Sequence, residues 1–303
     1  MIKILATDGI ESSAVKALSD LGFEVKEQFY KEDELAARVA EFDVVVVRSA
    51  TKIRKPVIDE AVKKGKLKLI IRGGVGIDNI DAAYAKEKGI DVQNTPDASS
   101  ASVAELVIAH MFSLARFIYD ANVTMRAGKW EKKRYEGIEL AGKTLGLIGM
   151  GRIARCVARM ASALGMNVIY TNTTGHKPEN DPFKHVKWEE LLAKSDFVSL
   201  HVPKTEKPII YAADIAIMKD GVFLINTARA ALVDTGAMLN ALESGKIAAV
   251  ALDVFDEEPI KDEKIYTHPR ISMTPHIGAS TIEAQGRIGE DIVSIIKAKF
   301  LKP

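Results

Sequence analysis

Short runs of β-branched residues alternate with amphipathic stretches from residue 1 onward, about 20 to 25 residues to the unit, which is the rhythm of βα units rather than of hairpins. Parallel sheet is the expected outcome. In the first train the runs at 2–6, 23–26, 44–47 and 67–71 predict strands. Between them, 12–21, 32–40, 57–63 and 82–88 carry helical spacing that stops near Gly22, Gly65 and Gly89. This train closes near Asn94, and Pro96 with the small residues Ala98 to Ser102 predicts a turn and a helix start. A long, largely apolar helix over 105–119 follows, placed to bridge two domains. A second train opens at Leu140-Ala141-Gly142-Lys143, with strands predicted at 144–148, 167–170, 197–200, 222–225 and 248–252, each but the last followed by a helix. The final amphipathic stretch, 281–300, has no strand after it and has to dock on an existing layer.

Composition narrows the function classes. At 303 residues the chain accommodates two domains of ordinary size and needs no disulfide or metal staples. Its 47% hydrophobic and 27% charged residues sit near globular averages, which argues against extended disorder. The 42 basic and 41 acidic residues leave a net charge of +1, so there is no global electrostatic case for nucleic acid or an anionic membrane as partner. The lone cysteine, Cys156, has no internal partner and fits a reducing compartment. No apolar run approaches the ~18 residues needed to span a bilayer, and Asp8 interrupts the N-terminal run too early for a signal peptide. A soluble, cytoplasmic protein is expected. Histidines and acids show no metal-ligand spacing, and no metal is expected.

Gly149-Met150-Gly151-Arg152-Ile153-Ala154 places G-x-G-x-x-A directly after a predicted strand and at the mouth of a helix. Gly149 permits the tight turn, Gly151 lets backbone N–H groups approach a pyrophosphate, and Ala154 lets helix and strand pack closely. The helix N-terminus favours the anion. The pattern expects an acidic residue about 20 residues on, at the end of the next strand, to take the ribose hydroxyls. Asn172 stands there instead. It can hydrogen-bond a ribose hydroxyl but lacks the charge that repels a 2′-phosphate, so NAD is expected with some use of NADP. The fold class is therefore α/β, two Rossmann-like parallel-sheet domains.

Three later segments put committed chemistry at strand ends of the same sheet: Asn226-Thr227-Ala228-Arg229, Asp253 through Glu258, and Thr274-Pro275-His276 through Thr281. In an open α/β sheet such ends line the ligand crevice. Hydride transfer between a 2-hydroxy acid and nicotinamide needs a cation for the carboxylate, a proton acceptor for the hydroxyl, and a group that favours the acceptor's protonated form. Arg, His and Glu supply these.

Together with the glycine loop, these segments resemble the D-isomer-specific 2-hydroxyacid dehydrogenase family over essentially the whole chain. The likeness also rests on Val47-Arg48-Ser49-Ala50-Thr51-Lys52, Gly74-Val75-Gly76-Ile77-Asp78-Asn79, Asn94-Thr95-Pro96 and Ala127-Gly128-Lys129-Trp130. The resemblance implies a discontinuous substrate domain, 1–96 plus 281–303, with a dinucleotide-binding domain, 97–280, inserted. It implies Arg229 on the substrate carboxylate, His276 as acid/base and Glu258 as its partner; Asp256 and Glu257 lie beside Glu258, so that choice depends on the family pattern. Cofactor contacts are implied for Gly149, Gly151, Arg152, Ile153, Asn172, His201, Val202, Pro203, Thr227, Asp253 and Gly278, with His201 either part of an adenine wall or a structural histidine, and Asp253 on the nicotinamide amide. His110, inside the apolar helix, and Cys156 read as packing.

For the substrate, the resemblance implies contacts from Arg48, Arg72, Val75, Gly76 and Arg229. Arg48 and Arg72 each follow a strand beside a Gly-rich loop and read either as phosphate contacts or as structural ion pairs. Lys129, Lys132, Lys133 and Arg134 form a basic run that reads as a solvated face or as added phosphate attraction across a subunit boundary. The activity implied is NAD-dependent oxidation of D-3-phosphoglycerate to 3-phosphohydroxypyruvate, the first step of serine synthesis, by a homodimer paired through the nucleotide domain. A glyoxylate or hydroxypyruvate reductase would share the triad without needing Arg48 and Arg72, and an NAD(H)-sensing corepressor of the same fold is the non-enzyme alternative. Larger members carry C-terminal regulatory modules; with the chain stopping at Pro303, serine feedback through such a module is not expected.

Overall fold

The computed structural model describes residues 1–180 and 182–301. Two compact units divide the chain, Met1–Ser99 with Ala279–Pro303, and Ser100–Gly278. The first seam coincides with the start of the helix Ser100–Arg116.

Among its described residues the first unit holds five parallel strands, β1 (Lys3–Ala6), β2 (Glu24–Glu27), β3 (Val44–Val47), β4 (Leu69–Arg72) and β5 (Asp91–Asn94), in the order β2-β1-β3-β4-β5. The pleat explains why its central strands are apolar throughout. Ile4, Ala6, Val44, Val46, Leu69 and Ile71 face one core with Leu18, Ile288, Ile292 and Ile296. Leu5, Val45, Val47 and Ile70 face a second core with Leu35, Val39 and Ile58. A sheet covered by helices on both faces has no polar side to offer. The terminal helix Ile282–Phe300 docks on Ser12–Asp20, so closely that a Cβ on Gly289 would stand 2.9 Å from the Ala14 Cβ.

Among its described residues the second unit holds seven parallel strands: β6 (Thr144–Ile148), β7 (Asn167–Thr171), β8 (Lys184–His185), β9 (Phe197–Leu200), β10 (Val222–Asn226), β11 (Ile247–Leu252) and β12 (Ile271–Met273). Their order is β12-β11-β10-β9-β6-β7-β8, so the chain reverses direction across the sheet between β6 and β9. The crevice outside the carboxyl ends at that switch is where such sheets bind ligands.

The helix read as one piece over 105–119 is in fact two, Ser100–Arg116 and Ile118–Arg126, broken at Phe117 with φ +53°. The Ala115 carbonyl, which would accept from Tyr119 in a continuous helix, accepts from Ile138 N–H at 3.0 Å instead. The partner comes from a returning segment, so no helix-breaking residue marks the spot. Strands β5, β8 and β12 were also not predicted; all three are short and lie at sheet edges.

Candidate active site and nucleotide cradle

At the switch point the chain leaves β6 through Gly149, whose φ of +96° is open to glycine alone without strain. A Cβ there would lie 2.5 Å from the His201 carbonyl oxygen and 2.9 Å from Val202 Cγ1. The close approach of the β6 and β9 loops thus depends on the bare backbone of Gly149. Gly151 is different. It begins the helix Arg152–Ala163 with ordinary extended dihedrals, and nothing lies within 4 Å of where its Cβ would stand. Open space before a helix N-terminus is a cradle for an anion.

Two buried polar atoms at strand ends of the same sheet have no hydrogen-bond partner among the described residues, Asn172 Oδ1 after β7 and Thr227 Oγ1 after β10. Buried polar groups are nearly always satisfied, so such orphans call for a ligand or water. Asn172 Oδ1 fits a ribose hydroxyl. His201 follows β9; its Nε2 lies 2.9 Å from Ser199 Oγ, and burial pushes its pKa down to about 4, which keeps the ring neutral. Val202 is half-buried beside Gly149, while Arg152 and Pro203 are exposed and Ile153 half-buried. Cradle, ribose acceptor and neutral wall together fit a dinucleotide.

His276 and Glu258 meet as a pair. The imidazole Nδ1 lies 2.7 Å from Glu258 Oε2 and 3.0 Å from Oε1, both side chains about a third exposed. Burial alone would push the Glu258 carboxyl up; the hydrogen bond and charge of His276, a bond from Phe255 N–H and the charge of Arg229 together hold it below the usual carboxylate value. Because the carboxylate accepts from Nδ1–H, the neutral ring keeps its lone pair on Nε2, ready to accept a proton. Arg229 stands on a turn that Asn226 braces, the Asn226 amide donating to the Arg229 carbonyl at 2.8 Å while its Oδ1 accepts from Ala228 N–H. Arg229 Nη1 donates to the Ala228 carbonyl at 2.6 Å. His276 itself has φ +54°, and the turn around it is held by Asp253, which is 1% exposed. That carboxylate accepts from Thr274 Oγ1 at 2.6 Å, Ile277 N–H at 2.8 Å and Gly278 N–H at 2.9 Å.

In the first unit, Arg48 and Arg72 converge on adjacent glycines. Arg48 Cγ lies against Gly73, and the Arg72 guanidinium occupies the space a Gly74 side chain would fill. Val75 is exposed and Gly76 half-buried on the same loop. The turn after Arg48 is clamped from both sides. Asp8 accepts from Arg48 N–H at 2.7 Å and from Thr51 N–H and Oγ1, while the Asn79 amide donates to the Arg48 and Thr51 carbonyls at 2.7 Å each. The sequence reading missed Asp8 and the bracing roles of Asn79 and Asn226. An Asp two residues after a buried strand was the available signal for the first, and an Asn at a strand end two residues before Ala228 was the signal for the Asn226 turn; the contacts of Asn79 lie 28 and 31 residues away in sequence.

Residues 108–278 match the profile of the D-isomer specific 2-hydroxyacid dehydrogenase, NAD binding domain. Over 301 residues the chain is 47% identical to a hydroxypyruvate reductase of Thermotoga maritima, covering 97% of each. It is 46% identical over 308 residues to a D-3-phosphoglycerate dehydrogenase of Methanocaldococcus jannaschii, covering 98% of this chain but 57% of that protein. Among solved structures, a glyoxylate reductase from Paecilomyes thermophila superposes with a TM-score of 0.88 at 35% identity, over 98% of this chain and 94% of that one.

Proposed function

The chain belongs to the D-isomer specific 2-hydroxyacid dehydrogenase family, and on that premise we propose that its substrate is a phosphorylated 2-hydroxy acid, D-3-phosphoglycerate, oxidised with NAD to 3-phosphohydroxypyruvate. The observation that carries the choice of substrate is the convergence of Arg48 and Arg72 on Gly73 and Gly74. The Arg72 guanidinium stands at Gly74 and the stem of Arg48 passes Gly73; an unphosphorylated acid has no use for two arginines at one loop, whereas a phosphate dianion does.

When bound, NAD supplies the acceptor for the hydride leaving substrate C2. The protein's residues do the rest. Nε2 of His276 takes the hydroxyl proton, and Glu258 on Nδ1 fixes the ring and stabilises the imidazolium that forms. Arg229 pairs with the substrate carboxylate and polarises the developing carbonyl. One hydride and one proton leave a secondary alcohol to give a ketone. Asn172 holds the ribose and leaves room for some NADP.

A second reading, reduction of hydroxypyruvate, is favoured by the Thermotoga maritima relative, which this chain matches over nearly the full length of both. Arginine variants separate the two. Arg48→Ala and Arg72→Ala should each lower kcat/KM for D-3-phosphoglycerate about tenfold or more, with far smaller losses on an unphosphorylated 2-hydroxy acid. Equal losses on both would assign the arginines to structure.

The assembly proposed is a homodimer paired through the second unit. The helix Ile118–Arg126 buries none of its residues, Tyr119 within it and Trp130 after it are 67% and 79% exposed, and a partner subunit would cover this apolar face. Light scattering that returned the 33.0 kDa monomer mass at micromolar concentration would overturn this.

A further inference from the structure

We infer that His110 is a positioning residue for His276, acting through Thr274 and Asp253 by a buried chain of hydrogen bonds that holds the His276 turn in place. This rests on the reading of His276 as acid/base. His110 lies in the apolar helix Ser100–Arg116, 3% exposed, where a polar ring has no packing reason to be. Both its nitrogens are engaged on the strand that leads to His276. Nε2 is 3.0 Å from Thr274 Oγ1, and Nδ1 is 3.4 Å from Ser272 Oγ.

Proton counting sets the direction of the chain. Asp253 accepts from Ile277 N–H and Gly278 N–H, and the one hydrogen of Thr274 Oγ1 goes to it as well, at 2.6 Å. Thr274 can then face His110 only with a lone pair. His110 must donate from Nε2, which leaves Nδ1 to accept from Ser272. Burial holds the His110 pKa below its ordinary value, against the opposite pull of the Asp253 charge, so the neutral ring with a single N–H is the form present at neutral pH.

At the far end Asp253 takes the N–H groups of Ile277 and Gly278, the two residues after His276, and Ser102 Oγ donates to the Gly278 carbonyl at 2.7 Å. His276 N–H closes back on the Thr274 carbonyl at 3.0 Å. A non-glycine residue at φ +54° persists only where its surroundings over-determine it. If the His110 donor is lost, Thr274 is free to rotate its hydroxyl away from Asp253, and the clamp on the His276 turn loosens. Catalytic geometry is sensitive to such loosening: a misplacement of about 1 Å costs on the order of 10²-fold in rate.

The test compares His110→Leu, which removes the donor at similar volume, with His110→Gln, whose amide can donate from the same position. The expected result is a kcat lowered about 10- to 100-fold in His110→Leu, most of it recovered in His110→Gln, with the calorimetric Kd for NAD within about threefold of wild type in both. A kcat in His110→Leu within threefold of wild type overturns the inference. So does an equal loss in both variants, which would make His110 a packing residue. So does a Kd for NAD that weakens in step with kcat, which would route the effect through the cofactor. If His110→Leu does not fold, Thr274→Val against Thr274→Ser is read in the same way, the hydroxyl being lost in one and kept in the other. His276→Ala runs alongside. Near-normal turnover in that variant would refute the acid/base reading itself, whereas its loss with no effect at His110 refutes only the inference.

Discussion

Two glycines two residues apart in one motif, Gly149 and Gly151, should respond to the same substitution in opposite ways. At Gly149 an alanine meets the His201 carbonyl oxygen at 2.5 Å and has to hold φ at +96°. The dihedral alone costs about 1–3 kcal/mol, and the contact is with backbone that cannot swing aside. We expect at least about 2 kcal/mol of destabilisation, or a fall of roughly 4–8 °C in the unfolding midpoint of a unit this size. At Gly151 the dihedrals suit alanine and no atom lies within 4 Å. Weaker helix capping costs up to about 1 kcal/mol, and the lower entropy of the unfolded chain returns about 0.4–1 kcal/mol. Stability should therefore stay within about 1 kcal/mol of wild type. The Cβ instead fills the space through which a pyrophosphate approaches the helix N-terminus, so the Kd for NAD should rise at least tenfold, about 1.4 kcal/mol. Calorimetric unfolding and NAD titration of both variants decide the matter. A stable Gly151→Ala protein that binds NAD with wild-type affinity would show that the pyrophosphate does not lie there.

Other expectations follow from the pair and its neighbours. His276→Ala should lower kcat by about 10²- to 10⁴-fold with the Kd for NAD nearly unchanged; turnover within threefold of wild type removes it from the chemistry. Glu258→Gln should move the acid limb of the pH–rate profile to lower pH, because the charge that favours the imidazolium is gone, and an unmoved limb would contradict the pairing seen at 2.7 Å. Arg229→Lys should cost about 10- to 100-fold in kcat/KM, since a point ammonium cannot reproduce two parallel N–H bonds to a carboxylate. Asn172→Asp should raise the NAD over NADP preference about tenfold, the equivalent of ~1.4 kcal/mol, measured as the ratio of kcat/KM values; an unchanged ratio would move Asn172 off the ribose.

Most of the sheet was legible because parallel strands covered on both faces need unbroken apolar runs, and Val44 to Val47 or Phe197 to Leu200 have no other use. Edge strands carry no such demand. Lys184–His185 is a polar pair that becomes a strand only by joining Ile169 and Tyr170. The break at Phe117 was hidden for a related reason: its cause is Ile138 taking a carbonyl, a contact the local pattern cannot express. At the site, residues inside dense motifs were legible one by one, and the glycine loop could be read from spacing. What holds them was not. Asp8 under Arg48, and His110 behind Thr274, act across 40 and 164 residues of chain, where no periodicity connects them.

The choice of substrate is the claim on which most depends, and steady-state kinetics with NAD address it directly. Wild-type protein would be given D-3-phosphoglycerate and D-glycerate in the oxidative direction, and 3-phosphohydroxypyruvate and hydroxypyruvate in the reductive one. Two guanidinium groups on one phosphate are worth several charge-assisted hydrogen bonds, so the account predicts a kcat/KM at least about 10²-fold higher for the phosphorylated member of each pair. Equal values, or a preference for D-glycerate and hydroxypyruvate, would contradict it and make Arg48 and Arg72 part of the scaffold.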